Sequence, residues 1–222
     1  MKIKEIYVMD NVRMNLSGQV PISEIARGIC ARSPQILDAM SFLRRIGIGA
    51  IPDARVIDVG NHYSLRIGLA AKLLGANYLG FDISTKKWRR PRSVPTGYVG
   101  SIGQIDGEFS SGEKSKSKTI RSHSQDFVLI LSGGLSDPRP ESKADELLIE
   151  ALRVIKSGGI ICVGSFFLAW DTGEMEKAEY VISKVLQLPE NRNIRLEKLT
   201  DYPPLNPELL EGGHRYRVHF SE

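Results

Sequence analysis

Between Arg55 and Asp82 the spacing of apolar positions changes twice. Val56, Ile57 and Val59 form a short, β-branched run that predicts a strand. Gly60 permits a sharp turn, and Leu65, Leu69, Leu73 and Leu74 then recur at helical spacing. Ser64 is placed to cap that helix and Gly75 to stop it. Asn77 to Phe81 reads as a second strand, closed by Asp82. The stretch is a βαβ unit, and its carboxylate lies 22 positions beyond Gly60. A carboxylate at that distance is placed to accept hydrogen bonds from ribose hydroxyls.

The same alternation of periods continues downstream. Gly97 to Gly100 predicts a third strand. Asp126 to Leu131 is apolar after its first residue, as suits a parallel strand buried on both faces. The turn Ser132 to Pro138 follows. Ala144, Leu147, Leu148, Ala151, Leu152 and Ile155 keep three-four spacing, and Ser157-Gly158-Gly159 is expected to end their helix. Ile160 to Gly164 is a strand, about 174 to 187 a helix, and Ile194 to Leu199 a β-type run. Arg215 to Phe220 alternates strictly, with Tyr216, Val218 and Phe220 on one side. An antiparallel hairpin closing the sheet suits that pattern. The prediction is a doubly wound, mostly parallel α/β domain over residues 53–222.

Residues 1–50 read differently, as a mostly helical arm or lid. Two helices meet around Ala31 to Pro34, the second with Ser33 as cap and Pro34 at its first position. Their arrangement is similar to a helix-turn-helix, but the second helix is apolar where a reading helix needs polar side chains. A lid or a dimerisation arm fits better, which leaves a homodimer open. Gly47, Gly49 and Pro52 mark the passage into the domain. Ser110 to Ser124 is rich in serine and lysine and is expected to be a mobile loop.

Composition narrows the class. The chain has 222 residues, 41% of them apolar, enough for one α/β domain with an appendage. It contains no apolar run of the roughly 18 residues that a membrane span needs, and its first residues lack a signal-peptide pattern. A cytoplasmic protein without a membrane partner is expected. Cys30 and Cys162 lie far apart, and Cys162, inside an apolar strand, is expected as a buried thiol. The net charge is +4. Cations gather after the second strand, where Lys86, Lys87, Trp88, Arg89, Arg90 and Arg92 follow the carboxyl end of a sheet strand. That placement suits an anionic partner such as RNA, with Trp88 stacking on a base.

The order of motifs resembles the class I S-adenosylmethionine-dependent methyltransferases over roughly residues 53–222. VIDVGNHYS is similar to their first motif, in which a strand ends in Asp-x-Gly-x-Gly-x-Gly. Phe81-Asp82, DFVLILSGGLSDP and EALRVIKSGGIICVG are similar to the ends of their second and fourth strands and to the approach to the fifth. The resemblance implies a Rossmann-like, seven-stranded sheet with its last hairpin reversed, S-adenosylmethionine as cofactor, and methyl transfer to a small molecule or an anionic acceptor such as RNA. It also implies that Gly60 approaches the cofactor's methionine part and that Asp82 binds the ribose. Ile83 would pack on the adenine, Ser101 would meet its edge, and Ser132 would line the reacting centre. Asp58 either orients the turn or meets the cofactor's ammonium.

His62 and Ser64 stand where the family has its second and third glycines. The amino-methylase motif after the fourth strand is absent, since Ser-Gly-Gly-Leu stands there. His62 and Asp137 are the leading candidates for taking a proton from the acceptor, with His123 a weaker one. These departures sustain an alternative, a non-catalytic binding or scaffolding subunit on the same fold. A nicotinamide-dependent enzyme is disfavoured, because the dinucleotide fingerprint fits no better.

Overall fold

The computed structural model describes residues 4–8, 12–16, 34–59, 65–82, 96–99, 106–110, 116–131, 135, 144–164, 172–199 and 213–221. The chain opens with strands β1 (Lys4–Val8) and β2 (Val12–Leu16), paired antiparallel. Residues 1–50 therefore contain strands as well as helix. Ile6, Tyr7, Val8 and Val12 favour extended backbone, and turn-forming Asp10 and Asn11 separate the two runs. The first expected helix of the arm lies outside the described residues. The second is α1 (Pro34–Arg45).

Then come β3 (Arg55–Val59), α2 (Leu65–Leu73), β4 (Asn77–Asp82) and β5 (Thr96–Val99). After them stand β6 (Asp106–Ser110), β7 (Lys116–Thr119) and β8 (Gln125–Ile130). The chain ends with α3 (Ala144–Val154), β9 (Ile155–Gly164), α4 (Thr172–Leu186), β10 (Ile194–Lys198) and β11 (Gly213–Phe220). The main sheet has nine strands in the order β10-β11-β9-β8-β3-β4-β5-β6-β7. Strands β9, β8, β3, β4 and β5 are parallel, while β11 runs antiparallel to β9 and β10 antiparallel to β11.

The expectation of seven strands is therefore two short. The additional strands, β6 and β7, extend the edge beyond β5 in antiparallel register. Part of the stretch expected to be a mobile loop, Lys116–Thr119, is thus a strand. Its sequence, KSKT, has no apolar side to announce it. Lysines on an outer strand are a common way to discourage pairing with another chain.

Two apolar layers sandwich the sheet. On one face, Ile57, Val59, Val128, Ile130, Ile161 and Val163 pack with residues of α3 and α4, among them Leu147, Leu148, Ala151, Ala178, Ile182 and Val185. On the other, Val56, Tyr78, Phe127, Leu129 and Cys162 pack with Ala39 and Leu43 of α1 and Ile67, Ala70 and Ala71 of α2. Among the described side chains of α2 and its end, Ile67, Ala70 and Ala71 are buried, while Leu73 and Leu74 are partly covered. Small residues there let α1 lie against α2.

Helix ends follow local chemistry. At Gly75, with φ +79°, the amides of Gly75 and Ala76 donate to the carbonyls of Lys72 and Ala71. Gly47, with φ +96°, ends α1 the same way, its own amide donating to Arg44 and that of Ile48 to Leu43. Both are the paired bonds of a Schellman cap. Helix α3 stops at Val154, earlier than the serine and glycines at 157–159 suggested. The amides of His123 and Ser124 donate to the carbonyls of Arg153 and Val154, and buried Ile155 already pairs with Gln125 in the sheet.

Candidate functional site

The sheet reverses its winding at β3. From β3 the chain proceeds to β4 and β5 on one side, while β8 and β9 lie on the other. In open α/β sheets, ligands bind outside the carboxyl ends of the strands at such a switch point. Parallel registers bring those ends together. Asp58 pairs with Gly80 of β4 and Leu129 of β8, Asp82 pairs with Tyr98 of β5, and Ile130 pairs with Val163 of β9.

The expected site residues follow these ends in sequence. Asp58 is the penultimate residue of β3 and Asp82 the last of β4, so both acids occupy one edge of the sheet. Gly60, His62, Ile83, Ser101, Ser132 and Asp137 lie outside the described residues, as do Lys86, Lys87, Trp88, Arg89 and Arg90. Among the described residues no group of three or more His, Cys, Asp and Glu side chains is placed to hold a metal ion.

Asp58 is the chemically distinctive residue of this edge. Only 3% of it is exposed, on a sheet face that is otherwise apolar. The hydroxyl of Tyr78 donates to Asp58 Oδ2 at 2.7 Å, and Tyr78 itself is 2% exposed. The register explains how they meet. Val56 pairs with Tyr78 and Asp58 with Gly80, so these four positions share one face. Gly80 has no side chain opposite Asp58, which lets the phenol of Tyr78 reach across diagonally. A buried carboxylate needs such a donor, because an unpaired one costs several kcal/mol (about 3–5 when a partner is removed). Sequence reading missed Tyr78. The available signal was a tyrosine two positions before a strand glycine, where the pattern asks only for an apolar residue.

The opposite edge of the sheet carries structural polar groups. Asp126 at the start of β8 accepts from the amide of Arg55 at 2.8 Å and forms an ion pair with Lys156. Arg153 donates to Glu150 and to the carbonyl of Ile120. His123 belongs to this edge too. Its Nδ1 lies 3.1 Å from the carbonyl oxygen of Ile155, and its ring meets Phe220 edge-on at 4.5 Å. It precedes β8, whereas the switch-point acids gather at carboxyl ends, so it takes no part in their chemistry.

His214 lies within β11. Its Nε2 is 3.1 Å from Glu179 Oε1 of α4, and Lys198 donates to the same oxygen at 2.8 Å. The Lys198 hydrogen bond is the main reason the Glu179 carboxyl is held below its usual range. Cys162 is a free, buried thiol whose pKa is pushed up to about 12, chiefly by burial.

No helix among the described residues is long and apolar enough to cross a membrane. No family model matches the chain. No curated protein matches it. Among solved structures, an S-adenosylmethionine-dependent methyltransferase from Aquifex aeolicus superposes with a TM-score of 0.48 at 13% identity, over 90% of this chain and 99% of that one. The plantazolicin methyltransferase BpumL in complex with S-adenosylhomocysteine gives 0.46 at 14% identity, over 90% and 89%. These are likenesses in chain path, and the switch point stands on the strand order itself.

Proposed function

We propose that this chain binds S-adenosylmethionine at the carboxyl ends of β3 and β4 and transfers its methyl group to an acceptor. The observation that carries the reading is the switch point at β3, beside which β4 ends at Asp82. The donor set suits the ligand. A ribose diol calls for an acceptor such as Asp82. Bound there, S-adenosylmethionine supplies an activated methyl carbon for in-line displacement. The chain's own residues then have positional tasks, which is how most of such a barrier is lowered. Asp82 accepts hydrogen bonds from the ribose hydroxyls. Ile83 and Ser101 hold the adenine, while Gly60 and Ser132 line the methyl-bearing end. Asp58, buried and bonded to Tyr78, orients the chain where it leaves β3 rather than meeting the ligand directly. His62 or Asp137 takes the acceptor's proton.

The acceptor is a small molecule or an anionic one such as RNA, the latter favoured by the cationic run from Lys86 to Arg90. A cytoplasmic setting and a homodimer are compatible with this reading. A second reading rests on His62 and Ser64, which replace two glycines of the family motif. In it the chain keeps the fold as a binding or scaffolding subunit.

Calorimetry with S-adenosylhomocysteine separates these readings, comparing the parent chain with Asp82→Ala. Hydrogen bonds to a charged group contribute about 1.5–3 kcal/mol each, so the substitution is expected to weaken binding by about tenfold or more. An absence of heat with the parent at millimolar ligand would exclude the enzyme reading.

A further inference from the structure

We infer that Tyr78 is a positioning residue for the cofactor, acting through Asp58, an assignment that rests on the methyltransferase reading above. The geometry is specific. Asp58 is a single residue from the end of β3, and α2 begins at Leu65. Its carboxylate lies inside, on the face shared with Val56, Phe127, Leu129 and the α1–α2 layer. In those surroundings an aspartate is a poor choice unless its charge has a task and a partner. The Tyr78 hydroxyl is such a partner, at 2.7 Å and itself sealed from solvent.

Apolar packing alone would not need the pair. The neighbouring positions on this face are Val56, Phe127, Leu129 and Cys162, all apolar or weakly polar. A buried, charge-assisted hydrogen bond is directional where apolar contacts are not. It fixes the rotamer of Asp58 from the adjacent strand, and with it the height at which β3 ends relative to β4. Asp82 ends β4, so the bond ties together the two strand ends that bear the acids. Tyr78 touches no reacting atom in this scheme. It holds the strand end that does the binding.

The test is a double-substitution cycle read by S-adenosylhomocysteine calorimetry on the full chain: parent, Tyr78→Phe, Asp58→Asn and the pair, with Asp82→Ala as reference. Tyr78→Phe keeps the ring and removes only the hydroxyl. It is expected to weaken binding about tenfold, the scale of one hydrogen bond to a charged group. In the Asp58→Asn background the same substitution should change affinity by less than about twofold, because the two residues act as one unit. Placing 3-fluorotyrosine at position 78, which keeps a hydroxyl donor, should retain parental affinity even if Tyr78→Phe melts too early to titrate.

A merely structural role would lower the melting temperature of the unliganded chain while leaving affinity below the transition unchanged, and that outcome overturns the inference. Equal losses from Tyr78→Phe in both backgrounds also overturn it, since Tyr78 would then act by another route. If the parent binds and Asp82→Ala weakens binding while Tyr78→Phe does not, the inference fails and the functional reading stands. If the parent itself fails to bind, both fall together.

Discussion

Cys162 illustrates how burial decides the chemistry of a single side chain. Its thiol lies within β9, sealed under the α1–α2 layer, and its pKa is raised to about 12 mainly by that burial, against an opposing pull from Arg215. The thiolate is the reactive form, so at pH 8 almost none is present. In a Cys30→Ser background, Cys162 should resist alkylation by iodoacetamide at pH 8 for as long as the chain stays folded. It should react fully once the chain is unfolded in urea, with mass spectrometry as the readout. Prompt alkylation of the folded chain would show that the strand opens locally. The sequence anticipates this thiol because an apolar strand surrounds it, and no comparable context announces the Asp58–Tyr78 pair. Aspartate near a strand end is legible as a candidate ligand. Which neighbour satisfies it depends on the register between β3 and β4, and register is a property of two strands rather than one.

At the scale of elements, local rules were reliable where the chain carries its own stop signals. Gly75 ends α2 with positive φ and two capping bonds, and nothing lies within 4 Å of where a Cβ would stand. The cost of Gly75→Ala is therefore backbone strain alone, about 1–2 kcal/mol for an L-residue in the left-handed region. Gly75→Asn should cost less, because asparagine tolerates that conformation. Urea midpoints of the two variants check the ordering, and equal effects would mean that the cap is not what ends the helix. Elements made by pairing were harder to read. β6 and β7 have no apolar alternation and exist as additions to the edge of β5. α3 ends early because backbone amides from 123 and 124 take its last carbonyls, a long-range event that Ser157-Gly158-Gly159 does not reveal. The candidate site is read as a set of positions after strand ends, since a doubly wound sheet brings those ends together whatever its loops contain.

For the molecule as a whole, the question is how far the amino-terminal part is separate from the sheet it precedes. The change in composition near Gly47 and Pro52 suggests a linker between an arm and a domain. The packing of α1 argues that this helix belongs to the domain. Leu43 is fully buried, in the same apolar cluster as Ile46, Val56, Ala71, Phe127 and Leu129. Gly47 sits where an added Cβ would be 3.7 Å from the ring of Phe127. The helix covers one face of the central strands, much as α3 and α4 cover the other, so the sheet has no dry second face without it. If α1 is part of that core, Leu43→Ala should act on the whole chain rather than loosen an appendage. A buried leucine cut to alanine typically costs about 2–5 kcal/mol, from lost transfer energy plus the cavity left behind. Unfolding in urea, followed both by far-ultraviolet circular dichroism and by tryptophan fluorescence, should stay a single coincident transition with its midpoint lowered. Two separated transitions, or a loss below about 1 kcal/mol, would instead mark α1 as an independent arm, because the cavity penalty arises only where the surrounding core is shared.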